Sequence, residues 1–136
     1  MTFMCLAYEE AGKLDELSPA EWQALRQETL DYVAGLRATG RLIDARPLQR
    51  ADTALTVRIR DGKRLVSDGP FAETKEQIGG FFLLEADRLE EAIDIAARWP
   101  SARIGTIEVR PVDEGLNEER RYAPVPGAGE RKALTR

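Results

Sequence analysis

A chain of 136 residues that is 43% hydrophobic and 32% charged can bury one real core, and two domains would be cramped in it. A formal net charge of −4 with no basic stripe argues against nucleic acid and against anionic membrane surfaces, which both need clustered Lys and Arg. The absence of histidine excludes Ser-His-Asp and Cys-His catalysis, His-ligated metals and imidazole proton transfer, and the lone Cys5 excludes an intrachain disulfide and a Cys-based zinc site.

Residues 2–8 read as a strand. Phe3, Cys5 and Ala7 face one way and Met4, Leu6 and Tyr8 the other; both rows are largely apolar, so burial on both faces is expected. Cys5 in this run reads as a small buried hydrophobe. Residues 9–17 follow as a polar loop. Ser18-Pro19-Ala20-Glu21 is a helix start: Ser18 caps, Pro19 suits the first helical position, and Glu21 completes a capping box. Trp22, Leu25, Thr29, Val33 and Leu36 recur at helical spacing with Tyr32 on the flank, and Gly40 ends a helix predicted over 19–39.

A second strand is predicted over 42–45, limited by Pro47. Residues 53–60 alternate, with Leu55, Val57 and Ile59 predicted inward and Thr56, Arg58 and Arg60 outward. Asp61-Gly62 signals a two-residue turn, and 63–67 return antiparallel. Asp68-Gly69-Pro70-Phe71 stops that strand, and residues 74–77 suit one capped helical turn. Residues 79–85 form a further strand, apolar on both faces after its glycines. Asp87 with Glu90 marks a second helix, lined by Leu89, Ala92, Ile93 and Ala96 and closed by Pro100 just after Trp99. Both tryptophans, Trp22 and Trp99, read as core. Residues 105–111 supply the last strand, with Ile107 and Val109 inward. From 113 to 136 the chain is charged and rich in Gly and Pro, which reads as a mobile tail on a domain of residues 1–112. No run approaches the roughly 20 apolar residues of a membrane span. The apolar start lacks a basic lead and meets Glu9 and Glu10 at once, unlike a signal peptide. The cytoplasm is the expected compartment.

The order strand, helix, strands, strand, helix, strand is the βαββαβ ferredoxin-like plan of an α+β domain, with an added hairpin around Asp61-Gly62. Right-handed crossovers place both helices on one face of the sheet. The other face, with Met4, Leu6 and Tyr8, is too apolar to meet water, and a second copy of the chain is its expected cover.

Residues 66–76, Val-Ser-Asp-Gly-Pro-Phe-Ala-Glu-Thr-Lys-Glu, are similar to the DGPF motif of the YCII-related protein family. The opening strand 3–8, the strand 79–86, and the segments 87–100 and 105–112 resemble the family in order and in register. The resemblance implies a bacterial homodimer in which two ferredoxin-like sheets pack face to face as a dimeric α/β barrel. It implies no settled activity. Some members lie beside genes for extracytoplasmic-function sigma factors, which suggests a regulatory or stress context, and certain relatives are suspected of chemistry with a His–Asp pair. This chain has the Asp and no His, so that chemistry is not carried over.

Asp68 is the leading candidate. Its carboxylate either faces a cleft as a proton acceptor or ligand-orienting group, or pins the Gly69-Pro70 turn. Glu73 is either a second carboxylate or a solvated charge. Lys75 and Arg58 could each hold an anionic ligand, with solvation as the alternative. Phe71 either plugs the core beside the turn or walls a pocket. Gly79 and Gly80 precede a strand, so they are no phosphate loop; they either admit a ligand to the backbone or mark a bulge. Tyr8 either reaches a cavity with its hydroxyl or is a buried tyrosine with one hydrogen bond. No metal and no cofactor is expected. The functional expectation is a small-molecule-binding homodimer with weak enzymatic activity at Asp68. A non-enzymatic partner of another protein is the alternative.

Overall fold

A computed structural model describes residues 1–114. Six strands are present: β1 (Thr2–Glu9), β2 (Leu42–Pro47), β3 (Leu55–Arg60), β4 (Lys63–Asp68), β5 (Gln77–Glu85) and β6 (Thr106–Pro111). Three α-helices join them: α1 (Ala11–Asp15), α2 (Pro19–Ala38) and α3 (Leu89–Ala97). Short 3₁₀ turns precede β3 and follow α3. The polar loop expected over 9–17 therefore contains one short helix, and the helical turn expected over 74–77 is absent.

The main sheet has four strands in the order β2-β5-β1-β6, every pair antiparallel. That is the ferredoxin-like order. β1 and β5 hold the centre, with Phe3 opposite Leu84 and Cys5 opposite Phe82. The expected α/β barrel is not formed. Among the described residues the sheet is open, with β2 and β6 as unjoined edges, and four strands are too few to curl into a closed barrel of about eight. β3 and β4 do not extend this sheet; they pair only with each other.

Local signals explain α2. Ser18 Oγ accepts from the Glu21 amide at 3.1 Å, and Glu21 Oε1 accepts from the Ser18 amide at 3.0 Å, a complete capping box. At the other end Gly40, with φ 73°, closes a Schellman motif. The Arg41 amide donates to the Leu36 carbonyl at 2.9 Å and the Gly40 amide to the Arg37 carbonyl at 3.1 Å. α3 starts differently from expectation. Arg88 is its N-cap, with no side-chain bond, and Asp87 contributes only its amide, which donates to Glu91 Oε2 at 3.1 Å.

The core lies between the Phe3–Cys5 face of the sheet and α2 and α3. The Phe82 and Trp99 rings stack with centroids 3.7 Å apart, and Tyr32 meets Trp99 edge-on at 5.7 Å. Tyr32 donates its hydroxyl hydrogen to the Ile95 carbonyl at 2.7 Å, so its polar end is satisfied. Cys5 is sealed in this layer, and burial pushes its thiol up to about 12.

Several inward assignments fail. Trp22 is 50% exposed, and of α2 Leu36 is the buried residue. Ile95, one turn after Glu91, takes the buried place expected of Ile93. Leu55, Val57 and Ile59 are 64%, 62% and 59% exposed: their alternation marks a strand correctly, but no core stands behind that strand. On the far side of the main sheet Met4, Leu6, Phe81 and Leu83 form a half-buried apolar row, opposite the face that α2 and α3 cover among the described residues. The tail expected over 113–136 lies, from residue 115 onward, outside the described residues.

Phe82→Ala removes one half of the central ring stack and is expected to cost about 3–5 kcal/mol. Urea unfolding followed by far-ultraviolet circular dichroism checks it.

Candidate functional site

The C-terminal end of β1 gathers most of the polar side chains that face one another. A register shift between Ala7 and Tyr8 leaves Gly79 as an extra residue on β5, a β-bulge. The bulge has a steric purpose. A Cβ on Gly79 would sit 2.1 Å from Glu9 Cδ, so the glycine makes room for the Glu9 carboxyl. Gly80 is constrained by backbone instead, since its Cβ would lie 2.9 Å from the Arg46 carbonyl oxygen. Gly105 is tighter still: a Cβ there would lie 2.4 Å from the Tyr8 carbonyl oxygen.

Beside this bulge an open cleft of about 510 Å³ is lined by Tyr8, Glu10, Thr74, Lys75 and Glu76. Lys75 Nζ lies 3.0 Å from Glu10 Oε1, and Lys13 Nζ lies 3.5 Å from Glu10 Oε2. The hydrogen bond from Lys75 holds the Glu10 carboxyl below the usual range, and Glu10 in turn raises Lys75. The 72–76 turn is tied by Gln77, whose Nε2 donates to the Ala72 carbonyl at 2.6 Å and to the Thr74 carbonyl at 3.0 Å. Thr106 Oγ1 donates to Glu76 Oε1 at 3.3 Å, anchoring the turn to β6.

Glu9 differs from Glu10. Burial pushes its carboxyl up, and the charge of Arg50 offsets this only in part. Arg50 is itself engaged by Asp15 at 3.3 Å. A cavity of about 20 Å³, room for a single water, lies next to Glu9 between Tyr8, Glu10, Leu14, Ser101, Ile104 and Gly105. The cleft thus offers the Tyr8 side chain, a threonine hydroxyl and an ammonium paired with the Glu10 carboxylate, while Glu9, the carboxyl that prefers its proton more than a free glutamate does, lines the small cavity next to it. That set suits acid–base chemistry or the binding of a small oxygenated molecule. Among the described residues no group of three or more acidic, Cys or His side chains is placed to hold a metal ion.

Of the residues singled out from sequence, Tyr8 and Lys75 meet in this cleft, and Gly79 and Gly80 shape the strand beneath it. Asp68, Gly69, Pro70 and Phe71 lie elsewhere, at the base of the β3–β4 hairpin, and Arg58 lies midway along β3 opposite Leu65. Gly69, at φ 93°, needs its lack of Cβ: its amide donates to the Ala54 carbonyl at 2.7 Å and its carbonyl accepts from Thr56 Oγ1 at 2.9 Å. Asp68 is exposed on β4 opposite Leu55 and does not line the cleft. Phe71 does not plug the core. It is 76% exposed, with the Arg58 guanidinium 5.1 Å from its ring centroid. Glu73 is exposed. Sequence reasoning missed Glu9, Glu10, Glu76, Gln77 and Gly105. The available signal was the Tyr8-Glu9-Glu10 run, where an apolar strand ends on two acids.

An open four-stranded antiparallel sheet backed by two helices defines a ferredoxin-like α+β domain. Within that class the chain belongs to the YCII-related domain family, whose model matches residues 1–115. An uncharacterised protein of Rhizobium meliloti (strain 1021) is 32% identical over 114 residues, which cover 82% of this chain and 92% of that protein. Among solved structures, the 5-chloro-2-hydroxyhydroquinone dehydrochlorinase of Burkholderia phenoliruptrix AC1100, in complex with 2,5-dihydroxybenzoquinone, superposes with a TM-score of 0.53 at 17% identity. The match covers 85% of this chain and 96% of that one, a likeness of fold. Among the described residues no helix is long and apolar enough to cross a membrane.

Gly79→Ala is expected to fold, because the atom in its way is the far end of a flexible side chain; the Glu9 carboxyl swings into solvent and its pKa returns toward the ordinary value. Gly105→Ala meets fixed backbone and is expected to cost about 2 kcal/mol or more. Carboxyl-carbon NMR titration and thermal melts separate the two. A folded-state pKa raised above the unfolded value means the native protein holds the Glu9 proton more tightly, so stability falls as pH rises from the unfolded value through the folded one. Glu9→Gln is therefore expected to raise Tm at pH 7 and to leave it unchanged near pH 3, checked by melts at the two pH values.

Proposed function

We propose that the protein is a small-molecule-binding homodimer of the cytoplasm whose ligand occupies the cleft of Tyr8, Glu10, Thr74, Lys75 and Glu76. The observation that carries the reading is the convergence of the Lys75 ammonium and the Tyr8 side chain on one open, shallow cleft. The ligand class is a small oxygenated ring or acid. Lys75 meets its anionic oxygen, Tyr8 offers a ring face and a hydroxyl, and Thr74 offers a second hydroxyl. A dehydrochlorinase of similar fold, described with a dihydroxybenzoquinone bound, supports this class.

A weak enzymatic activity at this site is acid–base in kind. Without histidine, proton transfer falls to carboxyls, and Glu9, which lines the small cavity next to the cleft and is desolvated beside the bulge, is the group whose pKa is raised. Asp68 enters as the comparison residue, since it is exposed and outside the cleft. The homodimer is supported by the uncovered row of Met4, Leu6, Phe81 and Leu83.

A thermal-shift series with hydroxyquinones, catechols and small carboxylates tests the reading. At about ten times Kd, a true ligand is expected to raise the wild-type Tm by about 5 °C. The shift is expected to shrink by at least half in Tyr8→Ala and in Lys75→Met and to persist in Asp68→Asn. No response to any compound, or an undiminished response in Lys75→Met, removes the cleft from consideration. A response lost in Asp68→Asn alone returns the site to the hairpin base.

A further inference from the structure

Among the described residues β3 pairs with β4 alone, and its other edge is open. The turn decides which backbone groups that edge presents. Asp61 at φ 51° and Gly62 at φ 73° make a two-residue turn of type I′, so the flanking Arg60 and Lys63 exchange backbone hydrogen bonds. The alternation continues through Arg58–Leu65 and Thr56–Ser67 to Ala54, whose carbonyl accepts from the Gly69 amide at 2.7 Å. The amides and carbonyls of Leu55, Val57 and Ile59 therefore point away from β4. Among the described residues no other strand or loop backbone bonds to them.

Side chains divide by the same parity. Leu55, Val57 and Ile59 form one exposed row of β3, and Thr56, Arg58 and Arg60 form the other. On β4, Lys63 shares the arginine face, opposite Arg60, while Arg64 and Asp68 lie on the apolar face, opposite Ile59 and Leu55. The β4 edge is thus mixed on both faces, and the β3 edge is sorted: one face apolar, the other carrying two successive arginines. Among the described residues neither arginine is paired with a carboxylate. Arg58 lies against the Phe71 ring, and Arg60 donates to the neighbouring Ile59 carbonyl at 2.9 Å.

We propose that the free edge of β3 is a docking site for an extended segment of another protein in which acidic and apolar residues alternate, added to the hairpin as a third strand. Three observations choose this occupant. The open row of amides and carbonyls on β3 matches the backbone of an extended chain. Parity then fixes its pattern. Every second side chain of such a strand lies beside Leu55, Val57 and Ile59 and is apolar; those between lie beside Arg58 and Arg60 and are acidic. Charge rejects a second copy, because β3 laid against β3 sets one arginine row on another. The six residues of β3 extend roughly 20 Å, so the partner segment needs about six residues. This edge is separate from the cleft of Tyr8 and Lys75, and the inference stands without a ligand there.

A capped seven-residue peptide of alternating valine and glutamate, added to the full chain, tests the edge by amide hydrogen exchange and by titration. At saturation it is expected to slow exchange of the Val57 and Ile59 amides by about tenfold or more. A valine–lysine peptide, and a peptide with the valines and glutamates in two blocks, are each expected to bind at least about tenfold more weakly. Arg58→Glu combined with Arg60→Glu is expected to reverse the preference, losing the glutamate peptide and gaining the lysine one, and the gain shows that the altered hairpin still folds. Unchanged exchange at Val57 and Ile59 in the unaltered protein overturns the proposal. Equal binding of the three peptides, or retention of the glutamate peptide by the double variant, also overturns it. Protection of this edge by an oligouridine, with none by the glutamate peptide, assigns the arginine row to nucleic acid and overturns it as well.

Discussion

β1 and β5 run antiparallel down the middle of the sheet, partnered from Thr2–Glu85 at one end to Glu9–Gln77 at the other. That one ladder decides which residues are hidden and where the reactive side chains end up. In its regular part, side chains alternate, so Phe3, Cys5, Phe82 and Leu84 share the covered face and Met4, Leu6, Phe81 and Leu83 the open one. At Gly79 the ladder takes one extra residue. Beyond that point the strand ends in Tyr8 and Glu9, Glu10 follows as the N-cap of α1, and the chain entering β5 supplies Thr74, Lys75 and Glu76 from the opposite direction. The cleft is a consequence of two central strands meeting end to start with a bulge between them.

The elements legible in sequence are those whose signals are local. The capping box at Ser18 and Glu21, the left-handed Gly40, the Asp61-Gly62 turn and the alternation in β3 each need only neighbouring residues, and each is present in the structure. What sequence could not supply is what stands across from a face. Leu55, Val57 and Ile59 have a core-facing pattern without a core among the described residues, and Trp22 has helical spacing yet lies half exposed. The barrel expected from family resemblance failed for the same reason: closure is a property of strand count and edges, and among the described residues the main sheet has four strands with two free edges.

The same distinction governs the candidate site. The DGPF run drew attention as chemistry, yet within this chain Gly69 closes the hairpin base and Phe71 lies in solvent over Arg58. Glu9 drew none, because nothing in the string reveals that a glycine seventy residues later leaves space for its carboxyl. Steric pairs distant in sequence, such as Glu9 with Gly79 and the Tyr8 carbonyl with Gly105, are invisible in a single chain read linearly.

Cys5 is the chain's sole thiol, and it is shut inside the layer between sheet and helices with its ionisation strongly suppressed. A maleimide or disulfide reagent finds no thiolate while β1 is paired, so modification proceeds only through excursions that pull the central strand out. The rate at which sulfur becomes reactive is thus a built-in gauge of how often the middle of the molecule opens, and it is read without adding any label of foreign design.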